Sequence, residues 1–212
     1  MTKKVVFFGD SITDSGRVRT EPDGSMMSYG RGYVFLVASE LLSKHPNEYE
    51  VFNRGNSGDR IYNLYGRLSS DVWSLNPDIL TIFVGINDVE HPYKIRCGTD
   101  FKRWEKIYRM IIEETKERLP NIRIILVEPY VVKINEETPQ AYKWFSEAIP
   151  VYRKLLEQFA VDYGVEVVPL NDKINERANE IGVTNVTKDG THPHMVGAKI
   201  IAEEWLKNFY NK

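Results

Sequence analysis

Four short segments of this sequence hold residue types that together can carry out acyl transfer. Near the start, Gly9-Asp10-Ser11-Ile12-Thr13-Asp14 follows the apolar run Val5 to Phe8, so Ser11 falls where a buried strand would end and a helix begin. A hydroxyl displayed there can act as a nucleophile when a neighbouring base takes its proton. Near the end, Asp189-Gly190-Thr191-His192-Pro193 sets an acid three residues ahead of an imidazole. On a short loop that spacing lets the Asp189 carboxylate accept from Nδ1–H of His192, which leaves Nε2 to draw the Ser11 proton. The tetrahedral intermediate of such a reaction carries an oxyanion and needs preorganised donors. Gly58, within Asn53-Arg54-Gly55-Asn56-Ser57-Gly58-Asp59, offers a backbone N–H, and Asn87, within Gly85-Ile86-Asn87-Asp88, offers a side-chain amide.

Each segment also has a plainer reading. Asp and Ser at the start of a helix are ordinary caps, Gly55 and Gly58 read as turn residues with positive φ, Asn87 reads as a helix cap, and Asp189-Gly190 is a turn signal. What sets the pattern apart is that nucleophile, two donors and an Asp-His pair occur together, each at a predicted loop.

The elements that must position these loops are legible in the apolar runs. Val5 to Phe8, Tyr49 to Phe52, Ile79 to Val84, Ile122 to Val127 and Val165 to Val168 read as five buried parallel strands. From Phe101 to Leu119, Phe101, Trp104, Ile107, Tyr108, Ile111 and Ile112 recur at spacings of three and four, the stripe of a helix lying on a sheet. Similar helices are expected near 32–44, 59–75 and 141–163, and a last one from Met195 to Tyr210. Pro120 stops a helix, while Pro77 and Pro169 border strands. Strand and helix alternating five times predict one three-layer α/β/α domain over residues 1–212, with a five-stranded parallel sheet. Ligands of such sheets bind outside the carboxyl ends of the strands, near the point where strand order reverses.

Composition narrows the function classes. Hydrophobic residues form 42% and charged residues 27% of the chain, a globular balance. The 28 basic residues are scattered among 30 acidic ones, which leaves no electrostatic footprint for nucleic acid. Cys97 is the only cysteine, so an internal disulfide framework and a multi-cysteine zinc site are excluded. No run approaches the roughly 18 apolar residues of a membrane span, and the one after Lys4 is too short for a signal peptide; a cytoplasmic protein is expected. A rival chemistry takes Asp189, His192 and His194 as metal ligands, but Pro193 splits the two histidines and no further cluster with ligand spacing completes the site. No cofactor is expected.

The four segments, in this order across nearly the whole chain, resemble the blocks of the SGNH, or GDSL-type, esterase family. The resemblance implies a flavodoxin-like fold with strand order 2-1-3-4-5. It also implies Ser11 as nucleophile, His192 and Asp189 as base and orienting acid, and the Ser11 backbone, Gly58 and Asn87 as oxyanion donors. The absence of Gly-x-Ser-x-Gly separates the sequence from ordinary α/β-hydrolases. A closer similarity is to bacterial acetyl esterases that act on xylo-oligosaccharides. It is carried by Gly9 to Arg17, by Gly30-Arg31-Gly32-Tyr33-Val34 and by Gly85 to Val89. Where those enzymes have an aromatic residue after the last run, this sequence has Glu90 and His91. Related sugar esterases often assemble, so the resemblance leaves a homo-oligomer open.

The segment from Asp14 to Tyr33, with three arginines, Glu21, Asp23 and several glycines, reads either as a polar pocket rim or as a solvated loop. A polar rim suits a small acetylated sugar better than a long acyl chain, which needs an apolar trench. Tyr29, Tyr33, His91, Tyr93 and Tyr130 offer stacking or hydrogen bonds to a sugar, or simply packing. On the same machinery the alternative is a lysophospholipase or thioesterase. A binding module that keeps the fold without the chemistry is the non-enzymatic rival.

Overall fold

The computed structural model describes residues 2–89, 98–134 and 139–211. Glu90, His91, Tyr93 and Cys97 lie outside the described residues.

Alternation within the first strand sets up the architecture. In β1 (Lys3–Gly9), Val5 and Phe7 face one core and Val6 and Phe8 the other, all four fully buried. A strand buried on both faces must be covered by helices on both, which is why the run reads as continuously apolar. The other strands are β2 (Tyr49–Gly55), β3 (Ile79–Phe83), β4 (Arg123–Val127) and β5 (Glu166–Val168). All pair in parallel, in the order β2-β1-β3-β4-β5, as the resemblance implied.

The helices are α1 (Ser11–Asp14), α2 (Tyr33–Lys44), α3 (Ile61–Asp71), α4 (Phe101–Arg118), α5 (Pro139–Tyr163), α6 (Asn171–Ile181), α7 (Val183–Val186) and α8 (Met195–Tyr210). On one face α2, α6 and α8 bury Tyr33, Val37, Ile174 and Trp205 around Phe7. The Trp205 indole N–H donates to the Thr81 hydroxyl at 2.9 Å, so the polar atom of this large side chain is satisfied inside the sheet. On the other face α3, α4 and α5 bury Leu64, Trp104, Tyr108 and Phe159 around Phe8. Truncating an aromatic side chain at such a site typically costs about 3–5 kcal/mol.

Helices α6 and α7 were not foreseen, and the 59–75 helix ends at Asp71 before a separate 3-10 turn, Trp73–Leu75. Strand order reverses between β1 and β3, so the crevice at their carboxyl ends receives the segments that follow each: Ser11 after β1 and Asn87 after β3.

Candidate active site

Ser11 is the first residue of α1, and Asp10 is its cap, accepting the Ile12 N–H at 3.0 Å. The capping role therefore belongs to Asp10. The Ser11 N–H, like the first N–H groups of any helix, has no intrahelical acceptor. Its Oγ lies 2.8 Å from Nε2 of His192. On the far side of that ring, Nδ1 lies 2.7 Å from Asp189 Oδ2. A carboxylate can only accept, so Nδ1 carries the proton and Nε2 of the neutral ring accepts from the Ser11 hydroxyl. Residues 181 positions apart thus form one hydrogen-bonded series.

The loop holding His192 is rigidly built. Asp189 Oδ1 accepts the His192 backbone N–H at 2.8 Å and the Thr191 N–H at 3.1 Å. Thr187 Oγ1 donates to the His192 carbonyl at 2.8 Å and accepts the Gly190 N–H at 3.0 Å. From beneath, the buried Tyr130 hydroxyl donates to the Thr191 carbonyl at 2.6 Å.

Charge follows this geometry. Burial works against ionisation of Asp189, but the hydrogen bonds from the His192 ring and backbone, and the charge of His192, hold its carboxyl well below the usual carboxylate range. The same hydrogen bond raises the His192 pKa above the ordinary imidazole value, with burial opposing. Asp10 is fully enclosed, and burial pushes its carboxyl up to about 7.

Gly58 adopts φ +86°, as a turn glycine should. Gly55 does not take positive φ: it closes β2 in extended backbone, and glycine is needed because a Cβ there would stand 2.1 Å from the Asp14 nitrogen. Asn87 is not a cap either, since it lies inside a 3-10 turn (Ile86–Asp88) whose preceding residue is Gly85. Its Nδ2 donates to the Asp59 carbonyl at 3.1 Å, which orients the amide and leaves a second N–H unspent.

Two further side chains fix these loops. The buried Asp14 carboxylate accepts from the Ser57 N–H at 3.1 Å and the Ser57 hydroxyl at 3.2 Å, tying the turn of Ser11 to the residue before Gly58. Arg67 reaches both the Asp59 carboxylate and the Gly9 carbonyl. Neither residue was singled out from the sequence.

The 14–33 segment is solvent-facing over 19–24 and at Met26 and Met27, but it is anchored to the site loops by two of its arginines. Arg17 donates to the Gly55 carbonyl at 2.9 Å, and Arg19 joins Asp14 at 2.7 Å and Asn56 Oδ1 at 2.9 Å. With Asp23 and Arg54 these arginines line a polar cavity of about 340 Å³. Tyr29, Tyr33 and Tyr130 are buried, which removes them as stacking surfaces for a sugar. Among the described residues no group of three or more His, Cys, Asp or Glu is arranged to hold a metal ion. None of the described helices is long and apolar enough to cross a membrane.

The GDSL-like lipase/acylhydrolase family model matches residues 7–200. The chain belongs to that family. It is a carboxylic ester hydrolase. It is 30% identical over 210 residues to an acetylxylan esterase of Geobacillus stearothermophilus, covering 97% of this chain and 93% of that protein. Among solved structures, Axe2, an acetylxylan esterase from the same organism, superimposes with TM-score 0.86 at 30% identity, over 98% of this chain and 94% of that one. A GDSL-like lipase from Parabacteroides merdae gives TM-score 0.86 at 31% identity, over 100% of this chain and 98% of the other. Solved structures also include catalytic mutants of Axe2 in which a serine, an aspartate or a histidine is replaced by alanine.

Proposed function

We propose that this hydrolase removes acetyl groups from acetylated carbohydrate such as xylo-oligosaccharide, through a triad of Ser11, His192 and Asp189. The observation that carries the reading is the unbroken series from Ser11 Oγ to His192 Nε2 at 2.8 Å and from His192 Nδ1 to Asp189 Oδ2 at 2.7 Å. The aspartate and histidine of the Axe2 catalytic mutants stand three positions apart, the spacing of Asp189 and His192.

In this mechanism His192 takes the Ser11 proton as Oγ attacks the ester carbonyl, and Asp189 stabilises the imidazolium that forms. The oxyanion sits among the Ser11 N–H, the Gly58 N–H and the free N–H of the Asn87 amide. Collapse expels the sugar hydroxyl, which receives the proton from His192. Water, deprotonated by the same imidazole, then attacks the acetyl-enzyme and frees acetate. Every proton passes through Nε2, and no cofactor takes part.

The similarity to acetylxylan esterases supports an acetylated carbohydrate as the substrate. The alternative, a lysophospholipase or thioesterase, uses the same residues on longer acyl chains. A series of p-nitrophenyl esters of increasing acyl length, run beside acetylated xylo-oligosaccharides, separates the two. We expect a steep preference for acetyl and release of acetate from the oligosaccharides; rates that climb with chain length would overturn the proposal.

A further inference from the structure

We infer that Arg67 is a positioning residue of the oxyanion site, a side chain that ties together the segments carrying the three proposed donors. The inference rests on the proposed roles of Ser11, Gly58 and Asn87.

Arg67 lies in α3 and touches none of the reacting groups, yet two of its nitrogens, Nε and Nη2, are committed to segments that carry proposed donors. Nη2 donates to the Gly9 carbonyl at 2.9 Å, two residues ahead of Ser11. Nε donates to Asp59 Oδ2 at 2.6 Å. Asp59 follows Gly58 directly, and its carbonyl is the acceptor that orients the Asn87 amide. Nη1 donates to the Arg54 carbonyl at 2.8 Å, near the end of β2, and to Asp71 at 2.6 Å on its own helix. The guanidinium also stacks 4.3 Å from the Phe8 ring, one residue before Gly9.

A planar fork with five donors can hold this many directions at once, whereas an ammonium cannot. The Arg67 side chain is 17% exposed and that of Asp59 8%, so water competes weakly for their ion pair. The Gly9 carbonyl additionally accepts the Asn56 N–H at 3.0 Å, and Asn56 Nδ2 donates to Asp59 Oδ1 at 2.6 Å. The Arg67–Asp59 pair thus joins the Asp14–Ser57 bonds and the Asn56 N–H in closing the donor loop onto the nucleophile strand. Small displacements of catalytic groups, of order 1 Å, can cost about 10²-fold in rate.

The test compares Arg67→Lys, Asn87→Ala and the double variant by kcat, KM and thermal midpoint. We expect Arg67→Lys to fold and to lower kcat by roughly 10- to 100-fold with KM nearly unchanged. In the Asn87→Ala background the same change should cost clearly less, because one donor that Arg67 orients is already gone. Asp59→Asn, which keeps the carbonyl that holds Asn87 but weakens the clamp, should show a smaller kcat loss, and it serves if the lysine variant fails to fold. Wild-type kcat in a folded Arg67→Lys, or a loss that multiplies in full with that of Asn87→Ala, would overturn the inference. Undiminished kcat in Asn87→Ala would instead remove the oxyanion assignment itself, and the clamp with it.

Discussion

Asp189 holds His192 at two points, the backbone N–H through Oδ1 at 2.8 Å and ring Nδ1 through Oδ2 at 2.7 Å. The first bond fixes where the residue sits and the second fixes its tautomer, so in the neutral ring Nε2 accepts from Ser11. The pair is half open to water, with side chains 46% and 48% exposed, which leaves the imidazole in contact with the water needed for deacylation.

A pH dependence follows from that pair. The Asp189 hydrogen bond is the main cause raising the His192 pKa, and the base must be neutral to work, so kcat/KM should fall as pH drops through a value above the ordinary imidazole one. Asp189→Asn removes the cause. Its acid limb should move to lower pH while the plateau collapses by about 10³- to 10⁴-fold. A pH–rate profile checks both, and a flat profile from about pH 5 to 8 would contradict the base assignment.

Asn87→Ala removes one oxyanion donor while leaving the Asp59 carbonyl free to take water. We expect kcat to drop roughly 10²- to 10³-fold with KM little changed. Steady-state kinetics on an acetyl ester read the split, and a loss confined to KM would mean that Asn87 only binds substrate.

Burial raises the Asp10 pKa to about 7 in the fold, far above the roughly 3.9 of an exposed aspartate. The folded state therefore binds that proton more tightly than the unfolded chain. The stability gained is complete below the ordinary aspartate value and is lost as pH rises through about 7. Asp10→Asn keeps a carbonyl oxygen for the Ile12 N–H but cannot ionise. The fall in thermal midpoint from about pH 5 to 8 should be smaller in this variant than in the parent; equal falls would show that Asp10 does not titrate there.

Much of this fold could be read from one-dimensional signals, because strands buried on both faces leave unbroken apolar runs. Helix α6 escaped because its buried residues, Ile174 and Ala178, form a stripe too narrow to stand out in an otherwise polar segment. The groups proposed for the chemistry were visible because each occupies a short loop motif at the end of a strand or just before a helix. Asp14, Arg67 and Tyr130 are different in kind. Their partners are carbonyls, N–H groups and side chains 43 to 61 positions away for Ser57, Gly9 and Thr191, and no local pattern records such pairings. Tyr130, considered as a sugar contact, turns its hydroxyl inward to the Thr191 carbonyl instead.

The most direct test of the central claim is intact-mass measurement after treatment with a serine-directed phosphonate, on the parent enzyme, on Ser11→Ala and on His192→Ala. We expect one adduct on the parent, slow labelling of the histidine variant, and none on the serine variant, which should also lose nearly all acetyl-ester turnover. Labelling of Ser11→Ala at the parent's rate, or its undiminished turnover, would contradict Ser11 as the nucleophile.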